Sequence, residues 1–223
     1  MENNQKKAFL EYEADSWFER NKRIIENYKI EEDFVTNLLR KYNIVPEKIL
    51  EIGCSAGYRL NGLKELYPNT NVYGIDPSNS AISYGKELFP HVHFDRTTAD
   101  KLPYPTKQFD VVIVGFVFYV IDRELLLTSI SEIDRVLSDK GFLIIVDFFS
   151  ESALKNEYAH ILDFKAYSFK QKYESVFTES HLYQLMDKST VNHQTKKPDV
   201  LSDFYDLMSV TLLKKDIHAS YKC

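Results

Sequence analysis

Short apolar runs rich in β-branched residues alternate along the chain with stretches whose apolar positions have helical spacing. The runs predict five strands, at residues 48–53, 71–76, 92–94, 109–115 and 141–149. Strands that alternate with helices in this way predict a parallel sheet that helices cover on both faces. The fold class is therefore predicted to be α/β.

Helical periodicity is clearest between the fourth and fifth runs. Leu126, Ile130, Ile133 and Leu137 fall on one face of a helix, and Asp122 is placed to cap its N-terminus. We expect this helix to pack its apolar face against the predicted sheet.

The last third of the chain has a different pattern. Residues 149–188 are rich in aromatic side chains, and residues 189–195 and 204–213 predict two further strands. Little chain separates these two strands, so we expect them to form an antiparallel hairpin. Together with the five earlier strands, the hairpin brings the predicted sheet to seven strands.

Composition places the chain of 223 residues among globular proteins. Hydrophobic residues make up 44% of it and charged residues 27%, which excludes a disordered or fibrous chain. The formal net charge is −5, and the basic residues are scattered among acidic ones, which argues against nucleic acid as a partner. We expect a single domain over residues 1–223.

The chain shows no signal for export or for a membrane span. Its first residues lack the apolar region of a signal peptide, and its longest apolar run, Val111 to Ile121, has 11 residues against the roughly 20 that a membrane helix needs. The two cysteines do not have the spacing of a zinc site. We therefore expect a cytoplasmic protein with no metal and no stable membrane insertion, present as a monomer or a homodimer.

The strongest chemical signal is the segment Leu50–Gly57, a glycine-bearing turn between the first strand and a helix. In an open parallel sheet, ligands bind beyond the carboxyl ends of the strands, where a glycine turn lets the backbone come close to them. The dinucleotide fingerprint would need glycine where Ser55 and Tyr58 stand. The phosphate-binding loop of nucleotide hydrolases would need a Gly-Lys pair, which this segment lacks.

What remains resembles motif I of the class I S-adenosylmethionine (SAM) dependent methyltransferases, with Ser55 in the middle glycine position. Asp76 ends the second strand, where a carboxylate can accept hydrogen bonds from ribose hydroxyls. Thr98–Pro103 is similar to the superfamily segment that binds the adenine amino group, and Arg135–Phe142 is similar to its turn into the fifth strand. The resemblance covers roughly residues 45–150. It implies a Rossmann-like, mostly parallel sheet of order 3-2-1-4-5-7-6 in which the last strand is antiparallel.

The resemblance also implies SAM as the cofactor, with S-adenosylhomocysteine (SAH) as its product, and two groups of site residues. The expected cofactor residues are Trp17, Arg20, Glu51, Gly53, Cys54, Ser55, Gly57, Asp76, Pro77, Ala99, Asp100, Lys101, Gly115 and Phe116. The expected acceptor residues are His160, Tyr119 and His193 for catalysis and Tyr158, Tyr167 and Tyr173 for substrate binding. Each of these histidines and tyrosines has an alternative interpretation as a packing residue.

Trp17 and Arg20 have two interpretations as well. They could cover the site and clamp the cofactor carboxylate, or they could only dock an N-terminal helix. The resemblance divides the expected domain into an N-terminal helical cap at 1–43, a SAM-binding core at 44–150, and an acceptor-pocket segment with the C-terminal hairpin at 151–223.

Residues 115–123 and 147–150 resemble a subgroup of bacterial methyltransferases associated with surface-glycan biosynthesis. The expected function is therefore transfer of a methyl group to an oxygen or nitrogen atom of a small molecule. A sugar nucleotide or another capsule or surface-glycan precursor is the leading acceptor. The alternatives are another metabolite, such as a quinone precursor or a lipid, and a non-catalytic SAM-binding subunit.

Overall fold

The computed structural model describes residues 4–161, 165–199, 206–219 and 221. Its main sheet has seven strands in the order β3-β2-β1-β4-β5-β9-β8. These strands are β1 (Lys48–Ile52), β2 (Asn71–Asp76), β3 (His93–Arg96), β4 (Phe109–Gly115), β5 (Leu137–Phe148), β8 (Tyr183–Asn192) and β9 (Leu207–Lys215). Neighbouring strands from β3 to β5 are parallel, whereas β9 is antiparallel to both β5 and β8. The predicted strand order and the antiparallel last strand are confirmed.

Helices connect the strands and form the N-terminal part of the chain. Helix α1 (Asn4–Ala8) continues through a π-helical turn (Phe9–Glu13) into α2 (Ala14–Glu26). The later helices are α3 (Phe34–Lys41), α4 (Tyr58–Leu66), α5 (Asn79–Leu88), α6 (Leu126–Val136) and α7 (Glu174–Thr178). Asp122 caps the short 3-10 turn that leads into α6, where it accepts a hydrogen bond from the N–H of Glu124 at 3.0 Å.

The sheet carries a hydrophobic core on each face, because successive residues of its central strands point to opposite sides. Ile49 and Val111 pack into one core together with residues of α3, α4 and α5. Leu50 and Val112 pack into the other core with residues of α6 and α7. All four side chains are fully buried, which explains why their strands are apolar at consecutive positions.

Two strands differ in position from the prediction. Strand β5 already begins at Leu137, because that residue pairs with Phe109 ahead of an irregularity in the β4–β5 register. Strand β8 lies earlier than the predicted strand at 189–195, since its pairing with β9 begins at Tyr183. The predicted strand at 204–213 corresponds to β9, and residues 204 and 205 lie outside the described residues.

The aromatic stretch holds a small second sheet that the sequence pattern does not predict. Strands β6 (Leu154–Glu157) and β7 (Tyr167–Lys170) pair in antiparallel fashion, and each has only four residues, too few to show a clear alternation. Gln5 of α1 donates a hydrogen bond to the carbonyl of Tyr167 at 3.0 Å and accepts one from its N–H at 3.2 Å. The small sheet therefore fixes the start of the N-terminal helices.

Within the described part of the chain, no helix has the length and the apolar character needed to cross a membrane. In the same residues, no group of three or more histidine, cysteine, aspartate or glutamate side chains could hold a metal ion.

Candidate functional site

A cavity of about 320 Å³ opens at the carboxyl edge of β1, β2 and β4. The loops after these strands form one wall, and α1, the π-helical turn and α2 contribute the opposite wall. The predicted site residues that line it are Trp17, Glu51, Gly53, Cys54, Ser55, Asp76, Pro77, Ala99, Asp100, Gly115, Phe116, Tyr119 and Tyr158. Ligands of open parallel sheets bind at this edge, so the cavity is the candidate active site.

The turn after β1 comes close to the cavity because Gly53 has no side chain. Gly53 has a φ of +78°, and a Cβ atom there would lie 2.7 Å from the carbonyl oxygen of Gly115 on β4. The N–H groups of Gly53 and Cys54 donate to the carbonyl of Ile75, which joins the turn to β2. Ser55 also has a positive φ, and its buried hydroxyl has no hydrogen-bond partner within the described chain. A ligand in the cavity could supply that partner.

Asp76 ends β2 beside this turn. Its Oδ2 accepts a hydrogen bond from the N–H of Ser55 at 2.9 Å, and its Oδ1 accepts one from the N–H of Ser78 at 2.9 Å. Burial raises the pKa of Asp76 to about 6, although both backbone hydrogen bonds act in the opposite direction. Each carboxylate oxygen has a further lone pair, so the group can also accept hydrogen bonds from a bound diol.

Glu51 and Arg59 form a buried ion pair at the end of β1. Arg59 Nη1 donates to Glu51 Oε1, and Arg59 Nε donates to Asp33 Oδ2 at 3.0 Å. Burial raises the pKa of Glu51, and Arg59 opposes that rise. Burial acts to lower the pKa of Arg59, but Asp33 and Glu51 hold it well above its usual value. Because Glu51 Oε2 has no partner among the described residues, this corner offers the cavity a fixed cation and a free carboxylate oxygen.

Asp100 joins the sheet side of the cavity to the N-terminal helix. Lys6 Nζ of α1 lies 2.7 Å from Asp100 Oδ2. Burial acts to raise the pKa of Asp100, but hydrogen bonds from Lys6 and Thr98 hold it below its usual value. The ion pair therefore connects the two walls through a carboxylate that is ionised at neutral pH.

A further polar cluster lies where the π-helical turn meets the residues after β4 and β6. The carboxylate of Glu13 is 3% exposed. Arg20 donates to both of its oxygens, and the Tyr158 hydroxyl donates to Oε1 at 2.7 Å. Burial raises the pKa of both Tyr119 and Tyr158, and the two hydroxyls are close enough to affect each other. We call Glu13, Arg20, Tyr119 and Tyr158 the Glu13 cluster.

Asp147, near the end of β5, holds the turn that carries Tyr119. Its Oδ2 accepts hydrogen bonds from the N–H groups of Val117 at 3.1 Å and Phe118 at 2.8 Å. Burial raises the pKa of Asp147 to about 7, although hydrogen bonds from backbone N–H groups lower it. Asp147 does not line the cavity, but it fixes the wall from which Tyr119 reaches it.

Three predicted cofactor residues lie outside the cavity. Gly57 directly precedes α4 with a φ of +79°, and the ring of Phe94 occupies the space that a side chain would need. Lys101 is exposed. Arg20 pairs with Glu13 and does not line the cavity, so its predicted clamp on the cofactor carboxylate finds no support in this geometry.

Three predicted acceptor residues near β6 and β7 also lie outside the cavity. His160 is exposed, with its ring 5.4 Å from that of Tyr158. Tyr167 exchanges its backbone hydrogen bonds with α1, and Tyr173 is buried and donates to the carbonyl of Phe169 at 2.8 Å. The geometry supports packing or surface roles for these three side chains.

His193 packs behind the cavity, between aromatic rings. Its ring centroid lies 5.4 Å from that of Phe116 and 5.1 Å from that of Phe148. Burial, helped by the positive charge of Lys196, lowers the pKa of His193 to about 4, so the ring is neutral at neutral pH. It supports Phe116 from behind, and its predicted catalytic role finds no support in this placement.

Lys6, Glu13 and Arg59 line the cavity although the sequence pattern does not single them out. The sequence could have indicated Arg59 as a site residue, because the first turn of a helix that follows a glycine turn lies beside the carboxyl end of the preceding strand. No sequence pattern indicates Lys6 or Glu13, since the position of the N-terminal helices depends on contacts with distant parts of the chain.

Residues 49–141 match the protein family described as "Methyltransferase domain". This segment is similar to methyltransferase domains, and by that likeness we call residues 49–141 the methyltransferase domain. It contains the glycine turn and Asp76, and thus most of the sheet side of the cavity, whereas Glu13, Trp17 and Tyr158 lie outside it. The methyltransferase domain therefore meets the rest of the chain across the cavity.

Two curated proteins illustrate what the methyltransferase domain resembles. The ubiquinone/menaquinone biosynthesis C-methyltransferase of Campylobacter jejuni is 31% identical over 107 residues, which cover 45% of this chain and 44% of that protein. The demethylmenaquinone methyltransferase of Thermotoga maritima is 27% identical over 168 residues, which cover 72% of this chain and 69% of that protein. The chain thus matches less than half of the Campylobacter protein's length.

Solved structures resemble the chain over a greater length. The Burkholderia thailandensis 1,6-didemethyltoxoflavin-N1-methyltransferase, with bound 1,6-didemethyltoxoflavin and SAH, aligns over 97% of this chain and 92% of its own, with a TM-score of 0.70 and 13% identity. A SAM-dependent methyltransferase from Clostridium acetobutylicum aligns over 90% and 98%, with a TM-score of 0.63 and 14% identity. At such identities the likeness shows the fold, which is the Rossmann-like α/β fold.

Proposed function

We propose that the protein transfers a methyl group from SAM to a small molecule, and that both bind in the cavity between the sheet and the N-terminal helices. The observation that carries the proposal is the group of features at the carboxyl edge of the methyltransferase domain. A glycine turn, the Asp76 carboxylate and the buried oxygens Glu51 Oε2 and Ser55 Oγ, which have no partner among the described residues, belong to the lining of one space. The methyltransferases that the chain resembles support a reaction of this kind.

The lining of the cavity fits SAM along its length. Asp76 would accept hydrogen bonds from the ribose hydroxyls, and Asp100 would accept one from the adenine amino group. Glu51 Oε2, which has no partner among the described residues, would accept a hydrogen bond from the ammonium group of the amino-acid part. Arg59 would face the carboxylate of that part, in the role first expected of Arg20.

SAM supplies a methyl group that its sulfonium already makes electrophilic. The protein then has to hold the acceptor in line with that methyl group and exclude water from the site. Phe9, Leu10 and Trp17 close the cavity opposite the sheet, and Phe116 and Tyr119 provide aromatic rings that can attract the sulfonium charge. Orientation of this kind can lower the activation barrier by about 7–11 kcal/mol when the geometry is good.

The cavity favours a small planar ring as the acceptor over a sugar nucleotide. The phosphate groups of a sugar nucleotide would need cations of their own, and among the described lining residues Arg59 would face the carboxylate of SAM while Lys6 pairs with Asp100. Both curated relatives above carry names that refer to quinone-type compounds, which agrees with a ring. We therefore propose a quinone precursor or a similar ring compound in place of the surface-glycan precursor.

Calorimetric titration with SAH tests the proposal. The wild-type protein should bind SAH, and Asp76→Ala should weaken binding by about a hundredfold or more, because two hydrogen bonds to an ionised acceptor contribute ~1.5–3 kcal/mol each. Glu87→Ala is the matched control, since Glu87 is exposed on α5 and does not line the cavity. A folded wild-type protein that binds neither SAM nor SAH would refute the proposed function.

A further inference from the structure

The Glu13 cluster brings a carboxylate to the part of the cavity lining that lies outside residues 49–141. Glu13 lines the cavity yet is 3% exposed, and its Oε1 accepts the hydrogen bond of the Tyr158 hydroxyl at 2.7 Å. Tyr158 lines the same cavity, so its hydroxyl can face the carboxylate and a bound molecule together. The pair is therefore a short hydrogen-bonded path from the cavity to a buried carboxylate.

The backbone around Glu13 points to the same place. Phe9–Glu13 is a π-helical turn between two α-helices, a local form that is rare and is found frequently at functional sites. Phe9, Leu10 and Glu13 of this turn all line the cavity. The ring of Phe9 also packs against Tyr158, with the ring centroids 5.0 Å apart. The turn thus places one carboxylate among apolar and aromatic side chains.

We infer that Tyr158 and Glu13 form the proton-accepting pair of the acceptor site, and that the acceptor is a small planar ring that carries a hydroxyl group. This inference rests on the proposed function. It names the chemical class of the acceptor and the group that takes its proton.

The methyl-transfer step balances as follows. The hydroxyl oxygen of the acceptor forms a bond to the methyl carbon, the carbon–sulfur bond breaks, and its electron pair stays on sulfur as a neutral thioether. The hydroxyl proton passes to Tyr158 Oη while the proton of Tyr158 passes to Glu13 Oε1. The methyl ether, the thioether and a protonated Glu13 result, and Glu13 then returns its proton to water.

Tyr158 has to act together with Glu13 and cannot be the base by itself. Burial, the neighbouring Tyr119 and the carboxylate of Glu13 all raise the pKa of the Tyr158 hydroxyl, so it stays protonated at neutral pH. A protonated hydroxyl can pass a proton on but cannot keep a second one. Among the described residues, the charged or titratable groups that face the pair are Arg20 on α2, Tyr119 after β4 and His160, whose ring lies 5.4 Å from that of Tyr158, and the guanidinium balances the charge of the carboxylate.

The probe for the test is 4-nitrophenol, a phenol that ionises near neutral pH and loses its yellow colour when its oxygen is methylated. With saturating SAM, the wild-type rate should change little between about pH 6 and about pH 9, because the pair removes the proton when the phenol is neutral. Glu13→Gln and Tyr158→Phe should lower the rate by about tenfold near pH 6, because only about a tenth of the phenol is ionised there and reacts without the pair. Near pH 9 both variants should approach the wild-type rate, because the ionised phenol needs no base.

Glu11→Gln is the matched control, because Glu11 belongs to the same π-helical turn but is exposed and does not line the cavity. It should keep the wild-type rate at both pH values. Calorimetry with SAH and thermal melting on each variant separate the proton path from the stability of the fold. Tyr158→Phe keeps the ring that packs against Phe9, so it serves if Glu13→Gln does not fold.

Each outcome decides for or against the inference. An equal loss of rate at both pH values would mean a structural role for Glu13 and would overturn it. A wild-type rate that simply follows the ionised fraction of the phenol would do the same, without any variant. A wild-type protein that binds SAH but does not methylate 4-nitrophenol would overturn the acceptor class and leave the proposed function standing. Absence of SAH binding would instead overturn the proposed function.

Discussion

SAH affinity should fall as the pH drops below neutrality, because ribose hydroxyls need the ionised form of Asp76. The pKa of Asp76 is about 6, so the group is roughly 90% ionised at about pH 7 and roughly 10% ionised at about pH 5. If only the carboxylate form binds, the apparent Kd scales with the inverse of that fraction. SAH should then bind about tenfold more weakly at about pH 5 than at about pH 7. Asp100 has a pKa below its usual value and stays ionised over this range.

The same carboxyl group makes the free protein more stable at low pH, although it makes SAH binding weaker there. Its pKa in the folded protein lies above the ordinary value of 3.8, so the folded state holds the proton more tightly than the unfolded state does. The stability that this group contributes is therefore fully present below about pH 4 and is lost as the pH rises through about 6. Asp147, with a pKa of about 7, adds a contribution of the same sign that is lost at higher pH.

Calorimetric titration with SAH at several pH values between about 5 and 7 measures the effect on affinity. Asp76→Asn should bind SAH more weakly at neutral pH and should lose the dependence on pH, because an amide does not titrate. This variant also separates Asp76 from Glu51, whose pKa burial raises. A flat profile in the wild-type protein, or a tenfold change that persists in Asp76→Asn, would show that Asp76 does not bind the ribose.

Three substitutions test the described packing. Gly53→Ala should abolish SAH binding in calorimetry and should lower the Tm. The new Cβ atom would meet the carbonyl of Gly115 on β4, and a positive φ costs a residue with a Cβ atom ~1–2 kcal/mol. Retained SAH binding would contradict the close approach of the turn to the cavity. Phe109→Ala should lower the free energy of unfolding in urea by about 3–5 kcal/mol, since the ring is fully buried, and a loss below about 1 kcal/mol would be inconsistent with that burial. Arg59→Met should also destabilise by about 3–5 kcal/mol in urea, because Glu51 and Asp33 lose their cation; a variant as stable as the wild type would argue against the buried ion pair.

The sheet and its ligand-binding edge could be predicted because they depend on residues that are close in sequence. Strands β1 and β4 are buried on both faces, so their apolar runs stand out without any knowledge of the partner strands. The glycine turn and Asp76 follow directly from strand ends, and Gly53 has the positive φ that only glycine adopts without strain. The order of the strands followed from the resemblance of several short motifs in sequence order.

The wall opposite the sheet could not be predicted in this way, because it depends on contacts between distant segments. The hydrogen bond between Tyr158 and Glu13 joins residues that are 145 positions apart. No local pattern tells that the helix carrying Glu13 lies over the cavity. His160 and His193 were chosen for their chemistry, but one is exposed and the other is held between aromatic rings.

Because the cavity is divided between two parts of the chain, acceptor preference and cofactor affinity depend on different residues. Asp76 and the glycine turn belong to the segment 49–141, whereas the opposite wall comes from residues 4–26 and from the chain around β6. The polar contacts that join that wall to residues 49–141 include the ion pair from Lys6 to Asp100 and the hydrogen bonds that Asp15 accepts from Ser78 and Ser80. Chimeras that exchange these two outer segments with those of another methyltransferase but keep Lys6 and Asp15 should therefore change which ring is methylated while SAH affinity remains that of the parent domain.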